Sequence, residues 1–270
     1  MILEVSGMSH PGSLRPHNED AIGSCIPSER AVLERKGALF AVADGLGGQA
    51  AGEIASATAI EALLAEYFSP RAPYQVEAAL KQAMQAANLR VYNLAHGRDE
   101  TLHGMQTTLT ALVLAGHLAY IAHVGDSRAY LLRDQTLTQL TGDHSEAAEL
   151  LRLRLLTPEQ ARDHPRRSVL TRTVGSQLLM RPDFARVPVA AGDRFILCSD
   201  GLWGEIEPHE LLRLAQQPPE EACRALVELA CTRGGSDNIS VYVIHVVVPG
   251  SSAAAPSGRL SRLLAGLRGG

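Results

Sequence analysis

Four aspartates stand where an apolar run meets a polar or glycine-rich loop. They are Asp44 in LFAVADGLGG (39–48), Asp126 in AHVGDSR (122–128), Asp200 in FILCSDG (195–201) and Asp237 in GGSDNISVYVIHVVV (234–248). The first three close an apolar run, whereas Asp237, beside Asn238, precedes one. A single Asp at such a junction is equally well explained as a helix or turn cap. Four of them, each beside glycine or serine, fit poorly with four independent caps. Carboxylate oxygens gathered at the edge of a core suit hard divalent cations such as Mg²⁺ or Mn²⁺. Cys25, Cys198, Cys223 and Cys231 show no CxxC or His-paired spacing, which argues against zinc.

A second polar cluster, SHPGSLRPHNED (9–20), carries Arg15, Glu19 and Asp20. Alone it reads as a solvated loop. Glu19-Asp20 leads directly into the apolar AIGSCI, however, so Asp20 stands at a strand start as Asp237 does. Arg15 is a planar fork donor suited to phosphate oxygens.

The elements that must position these groups follow from periodicity. Residues 2–8, 20–26 and the apolar run from Leu39 to Ala43 read as strands, the last stopping at Asp44 before a turn with three glycines between Gly45 and Gly48. Residues 50–68 read as a helix, with Ile60, Leu63, Leu64, Tyr67 and Phe68 on one stripe. Pro70 and Pro73 separate it from a second helix over 74–96, and 97–105 is a loop. From Gln106 to Leu140 the period becomes two, which predicts a β-meander of successive antiparallel strands. The stretch 141–176 is polar and helix-rich. Thr157-Pro158-Glu159-Gln160 starts a short helix with a capping box, and Arg166-Arg167 follow. It reads as a solvated excursion, and its position makes it a candidate flap beside the site. FARVPV and FILCSDG are strands, two helices follow, and 239–248 is a final strand. Helices followed by consecutive strands are not a βαβ rhythm, so the fold class is α+β, with helices covering antiparallel sheets.

A chain of 270 residues, 46% hydrophobic, has ample material for a core, and motifs running from 15 to 240 favour one domain. The expected organisation is a domain over 1–248 and a flexible linker with a short basic tail over 249–270. A formal charge of −4 argues against a general nucleic-acid binder. No apolar run approaches the roughly 18 residues of a membrane span. Cysteines in apolar contexts fit a reducing, cytoplasmic setting.

Taken together, GSLRPHNED, VADGLGG, HVGDSRAYLL, TGDHS…TPEQARDHPRRSVLTRTVGS, ILCSDGLW and GGSDNIS resemble, in order, the motifs of the metal-dependent protein phosphatases (PPM, type 2C), particularly compact bacterial members. The resemblance covers about residues 3 to 248. It implies a central antiparallel β-sandwich flanked by helices on both faces. By the same resemblance Asp44 bridges two Mn²⁺ or Mg²⁺ ions, Gly45 offers its carbonyl to one, and Asp200 and Asp237 complete the first ion's protein ligands. Glu19 and Asp20 hold metal-bound waters, Arg15 grips the substrate phosphate, Asp126 with Asp200 forms a third, weaker metal site, and Asn238 orients its neighbouring ligand. The implied reaction is hydrolysis of phosphoserine and phosphothreonine in proteins by a metal-activated water, with no Ser or Cys nucleophile.

The implied partners are phosphorylated proteins, among them a bacterial Ser/Thr kinase and its targets, and the chain is expected to act as a monomer. Two positions depart from the pattern. Leu46 stands where some relatives carry a His proposed as the leaving-group acid, which leaves that role open between a metal-bound water, His10 and His144. His10 itself stands where many relatives carry Asp. A competing reading, a non-catalytic phosphoprotein-binding module on the same fold, predicts loss of Asp44, Asp200 or Asp237, and all three are present.

Overall fold

The computed structural model describes residues 1–47 and 51–250; Gly48 of the glycine turn and the tail from 251 onward lie outside the described residues. One sheet runs β1 (Ile2–His10), β11 (Ile239–Val248), β10 (Arg194–Cys198), β7 (Arg128–Arg133) and β8 (Thr136–Gln139). The other runs β2 (Asp20–Cys25), β3 (Ala38–Leu46), β5 (Leu109–Ala115), β6 (Leu118–Val124) and β9 (Asp183–Pro188), with the short β4 (Gln106–Thr107) on the end of β3. Neighbouring strands pair antiparallel in both sheets.

Strand alternation divides the apolar residues among three cores. In β3, Ala38, Phe40 and Val42 face the opposite sheet while Leu39, Ala41 and Ala43 face helices α2 (Ala51–Tyr67) and α3 (Val76–Ala95). In β11, Tyr242, Ile244 and Val246 enter the inter-sheet core, and Ile239, Val241 and Val243 pack under α7 (Pro208–Leu214) and α8 (Pro219–Thr232). A strand buried on both faces reads as a continuous apolar run, which is why LFAVA shows no polar alternation. The result is the expected sandwich, four layers deep, with helices outside both sheets.

Three local expectations change. The stretch 106–140 is not one meander: β5 pairs β6 and β7 pairs β8, but between β6 and β7 the chain crosses from one sheet to the other through Gly125-Asp126-Ser127. Gly125 makes the crossing possible, because its φ is +110° and a Cβ there would lie 2.5 Å from Thr108. β3 does not stop at Asp44 but runs on to Leu46, exchanging β5 for β4 as its partner at Gly45. Helix α1 (Arg30–Lys36), between β2 and β3, has no counterpart in the predicted elements, being too short and too charged to show an apolar stripe.

The 141–176 excursion holds α4 (Glu146–Arg152) and α5 (Pro158–Arg162), and the predicted capping box is present at Thr157 and Gln160. The one-turn helix α6 (Asp200–Trp203) follows β10 directly.

Candidate active site

Antiparallel pairing brings distant acids to one end of the sandwich. Asp20 opens β2 directly across from Asp44 on β3. In the other sheet, Asp200 follows the end of β10, and Asp237 precedes β11, the strand that β10 pairs with. Asp126 lies on the crossing between the sheets. Asp126, Asp200 and Asp237 line one cleft, together with Arg167, Ser168, Trp203 and Ser236.

Close backbone approach fixes this end. A Cβ on Gly45 would stand 2.1 Å from the Gly52 carbonyl oxygen, and one on Gly201 would stand 2.1 Å from that of Asn238, so only glycine fits at either place. Asn238 ties the Arg15 loop to the start of β11. Its Oδ1 accepts from Glu19 N at 2.7 Å, and its Nδ2 donates to the carbonyls of Pro11 and His17 at 2.9 Å each. It therefore positions the loop as well as neighbouring Asp237, whose Oδ1 accepts from Asn238 N at 2.9 Å. Ser199 Oγ donates to Asp20 Oδ2 at 2.7 Å, and Thr108 Oγ1 accepts from Asp44 N at 2.9 Å while contacting Ser127 Oγ at 2.7 Å. Trp203 Nε1 donates to the Asp126 carbonyl at 2.9 Å, and the Arg128 guanidinium lies over the indole 3.5 Å from its centroid.

The acids repel one another. Burial, opposed by the Ser199 hydrogen bond and reinforced by the charges of Asp200 and Asp237, pushes Asp20 up to about 7. Burial, then Asp20, Asp200 and Asp126, holds Asp44 well above the usual carboxylate range. Asp126 is raised by burial and by Asp200 and Asp143, against the pull of Arg128; Asp200 is raised by burial and by Asp237. Burial also raises Glu19, with Arg15 opposing.

Arg15 Nη2 donates to Asp237 Oδ2 at 2.9 Å, and its Nε to the Ser236 carbonyl at 3.3 Å. Among the described residues, no group of three or more His, Cys, Asp or Glu side chains is drawn close enough together to hold a metal ion. Yet two buried oxygens, Asp20 Oδ1 and Asp200 Oδ1, have no hydrogen-bond partner. A buried, unpartnered polar atom costs on the order of 1–3 kcal/mol, more when charged. An all-oxygen set with orphaned carboxylate oxygens fits a hard divalent cation.

The structure brings Arg15, Glu19, Asp20, Asp44, Gly45, Asp126, Asp200, Asp237 and Asn238 to the same end of the fold. Both histidines considered as acids are engaged in local hydrogen bonds. His10 Nδ1 accepts from Gly12 N at 3.0 Å. His144 Nδ1 accepts from Gly125 N at 3.1 Å, and its Nε2 lies 3.1 Å from Asp183 Oδ2, so this buried ring braces the crossing loop. Arg166 and Arg167 divide: Arg166 Nη2 pairs with Glu146 Oε1 at 2.7 Å, whereas Arg167 lines the cleft. Roles for Ser199, Thr108 and Trp203 escaped the sequence analysis; the only signal was the place of Ser199 and Trp203 in CSDGLW.

A family profile described as Protein phosphatase 2C matches residues 8–229. The chain is 37% identical over 248 residues to the serine/threonine protein phosphatase PstP of Mycobacterium tuberculosis, covering 92% of this chain and 46% of that protein. It thus spans about half the length of that relative. Protein phosphatase PhpP of Streptococcus pneumoniae is 33% identical, over 90% of this chain and 98% of its own length. The crystal structure of the PstP catalytic domain in complex with two manganese ions superposes with a TM-score of 0.78 at 35% identity, covering 91% of this chain and 99% of that one. The profile match, the relatives and the shared architecture place the chain in the protein phosphatase 2C family.

Proposed function

We infer that the chain is a metal-dependent protein serine/threonine phosphatase that hydrolyses phosphoserine and phosphothreonine. The observation that carries this inference is the pair of orphaned buried oxygens, Asp20 Oδ1 and Asp200 Oδ1, within a cluster of acids raised by burial and by mutual repulsion. Asp44, the Gly45 carbonyl, Asp200 and Asp237 are the groups that would hold two Mn²⁺ or Mg²⁺ ions, with Glu19 and Asp20 behind them and Asp126 with Asp200 at a third, weaker site. Such ions polarise a phosphoryl group and make a water nucleophilic near neutral pH.

The chain's own side chains bind and orient. Arg15, on the rim and paired with Asp237, turns its fork to the phosphate when Asp237 is engaged elsewhere. Asn238 and Ser199 hold the acids in place, and Trp203 fixes the crossing that carries Asp126. Cys198 is no nucleophile: burial pushes its thiol up to about 12, so it stays protonated and packs in the core.

The substrates are phosphorylated proteins, including a bacterial Ser/Thr kinase and its targets, on which the chain acts as a monomer. Four free cysteines suit a reducing cytoplasm. Among the described residues, no helix is long and apolar enough to cross a membrane. Phosphate release from a phosphothreonine peptide tests the function: release with Mn²⁺ and none in EDTA is expected, and equal release in EDTA refutes it.

A further inference from the structure

The 141–176 excursion does not stand free of the domain. It leans on α7 and encloses a cavity of about 220 Å³. Ala148 and Leu151 of α4 and Ala161 of α5 form one wall, and the buried Ile206 and Leu211 form the other. Ion pairs at the edge hold the walls in place. Arg162 Nη2 bonds Glu207 Oε1 at 2.7 Å, joining α5 to the start of α7, and Arg166 ties the end of the excursion to Glu146.

Two features identify what this cavity would take. Its volume lies below the roughly 300–1,000 Å³ of pockets for drug-sized molecules, yet is several times the roughly 30 Å³ share of one water. That is the scale of one large side chain. It also adjoins the catalytic cleft, since Arg167 and Trp203 line both. A chain segment with its phosphorylated residue at Asp126, Asp200 and Asp237 would bring a neighbouring side chain toward this shared edge, because successive residues advance only about 3.3–3.6 Å.

Resting on the phosphatase function inferred above, we propose that this cavity is a substrate subsite that takes a large apolar side chain, Leu or Phe, within two positions of the phosphorylated Ser or Thr. Its walls offer such a side chain apolar contact, while Arg167 lies at the edge shared with the cleft. An acidic side chain loses water and gains none of this contact, and two of the arginines that line the cavity are already paired, Arg128 with Asp143 and Arg162 with Glu207. An aryl phosphate reaches the cleft alone and serves as the internal reference.

The test uses the full chain with Mn²⁺ and phosphothreonine peptides in which Leu, Phe, Ala or Asp is scanned from three positions before to three after the phosphorylated residue. Methylene groups in an apolar pocket shift specificity by roughly tenfold or more, so kcat/KM should favour Leu or Phe over Asp about tenfold at one position within two of the phosphothreonine. Ala161→Phe, which fills the cavity, should bring that ratio below about threefold, and Leu151→Ala, which enlarges it, should move the preference from Leu to Phe. The second variant keeps the test decisive should the first fail to fold. No flanking preference at any position, a preference that survives Ala161→Phe, or equal losses on both peptides and the aryl phosphate would overturn the subsite. A preference that emerges only after residues 251–270 are removed would assign the cavity to the chain's own tail and overturn it too. Failure to hydrolyse any phosphoester with Mn²⁺ would instead sink the phosphatase function.

Discussion

Replacing Asp20 with Asn removes one charge from the acid cluster while keeping its shape. Asn can still accept the Ser199 hydroxyl through its carbonyl oxygen and turn its amide toward the acids near the orphaned oxygen. In metal-free protein Asp20 is raised from 3.8 to about 7. A raised carboxyl favours the fold where it is protonated, so stability is retained at low pH and lost as pH rises from the ordinary value through about 7. At about 1.4 kcal/mol per unit, the raised Asp20 costs the metal-free fold roughly 4 kcal/mol at pH 8, where it is ionised, and roughly 2 kcal/mol at pH 5, where folding must protonate it. Asp44 and Asp200 are raised by the same cluster, so the cost is spread over several carboxyls and about half the pH 8 figure is the working value. At about 2–4 °C per kcal/mol, Asp20→Asn should melt about 4–8 °C above the parent chain in EDTA at pH 8. The gap should be clearly smaller at pH 5. Saturating Mn²⁺ should stabilise the parent more than the variant, since binding to the folded state adds to stability, and the gap should close or reverse. Calorimetric melts at both pH values, with and without metal, read all three effects. A variant less stable than the parent in EDTA at pH 8, or a gap indifferent to pH, would refute the reasoning.

Asn238→Ala should lower stability by about 2–4 kcal/mol in urea unfolding, because three hydrogen bonds that tie the Arg15 loop to β11 disappear, each worth roughly 0.5–1.5 kcal/mol. Arg167→Ala should reduce kcat/KM on a phosphoprotein severalfold more than on an aryl phosphate, measured side by side. Arg166→Ala should instead lower the melting temperature by no more than about 2–4 °C and change kcat/KM on the two substrates equally little, since its partner is the Glu146 of an exposed ion pair.

Much of this site was legible because its residues occupy junctions. Asp44, Asp126, Asp200 and Asp237 each interrupt or begin an apolar run, and a charge cannot enter a core without a reason that lies in the site. The four-layer architecture was harder to read. The β-meander of 106–140 dissolved because a change of sheet leaves the period-two pattern on either side intact, and only the Gly125 conformation marks it. The partner of each group was hidden as well. Ser199 and Asp20 are separated by 179 positions, and Asn238 and Glu19 by 219, so no local pattern carries those bonds. Of the two adjacent arginines, only their opposite directions in space separate a strut from a cleft residue.

On the function inferred above, the acid cluster holds two divalent cations on which hydrolysis depends. Equilibrium dialysis against Mn²⁺, paired with phosphothreonine-peptide turnover on the same samples, tests it most directly. The parent chain should bind two ions tightly, with any further ion weak. Asp44→Asn should lose tightly bound manganese and, with it, at least about a hundredfold in turnover, on the order of an electrostatic stabiliser removed from a transition state. Full turnover by the metal-stripped parent chain, or an Asp44→Asn variant that keeps both ions and its activity, would contradict the account.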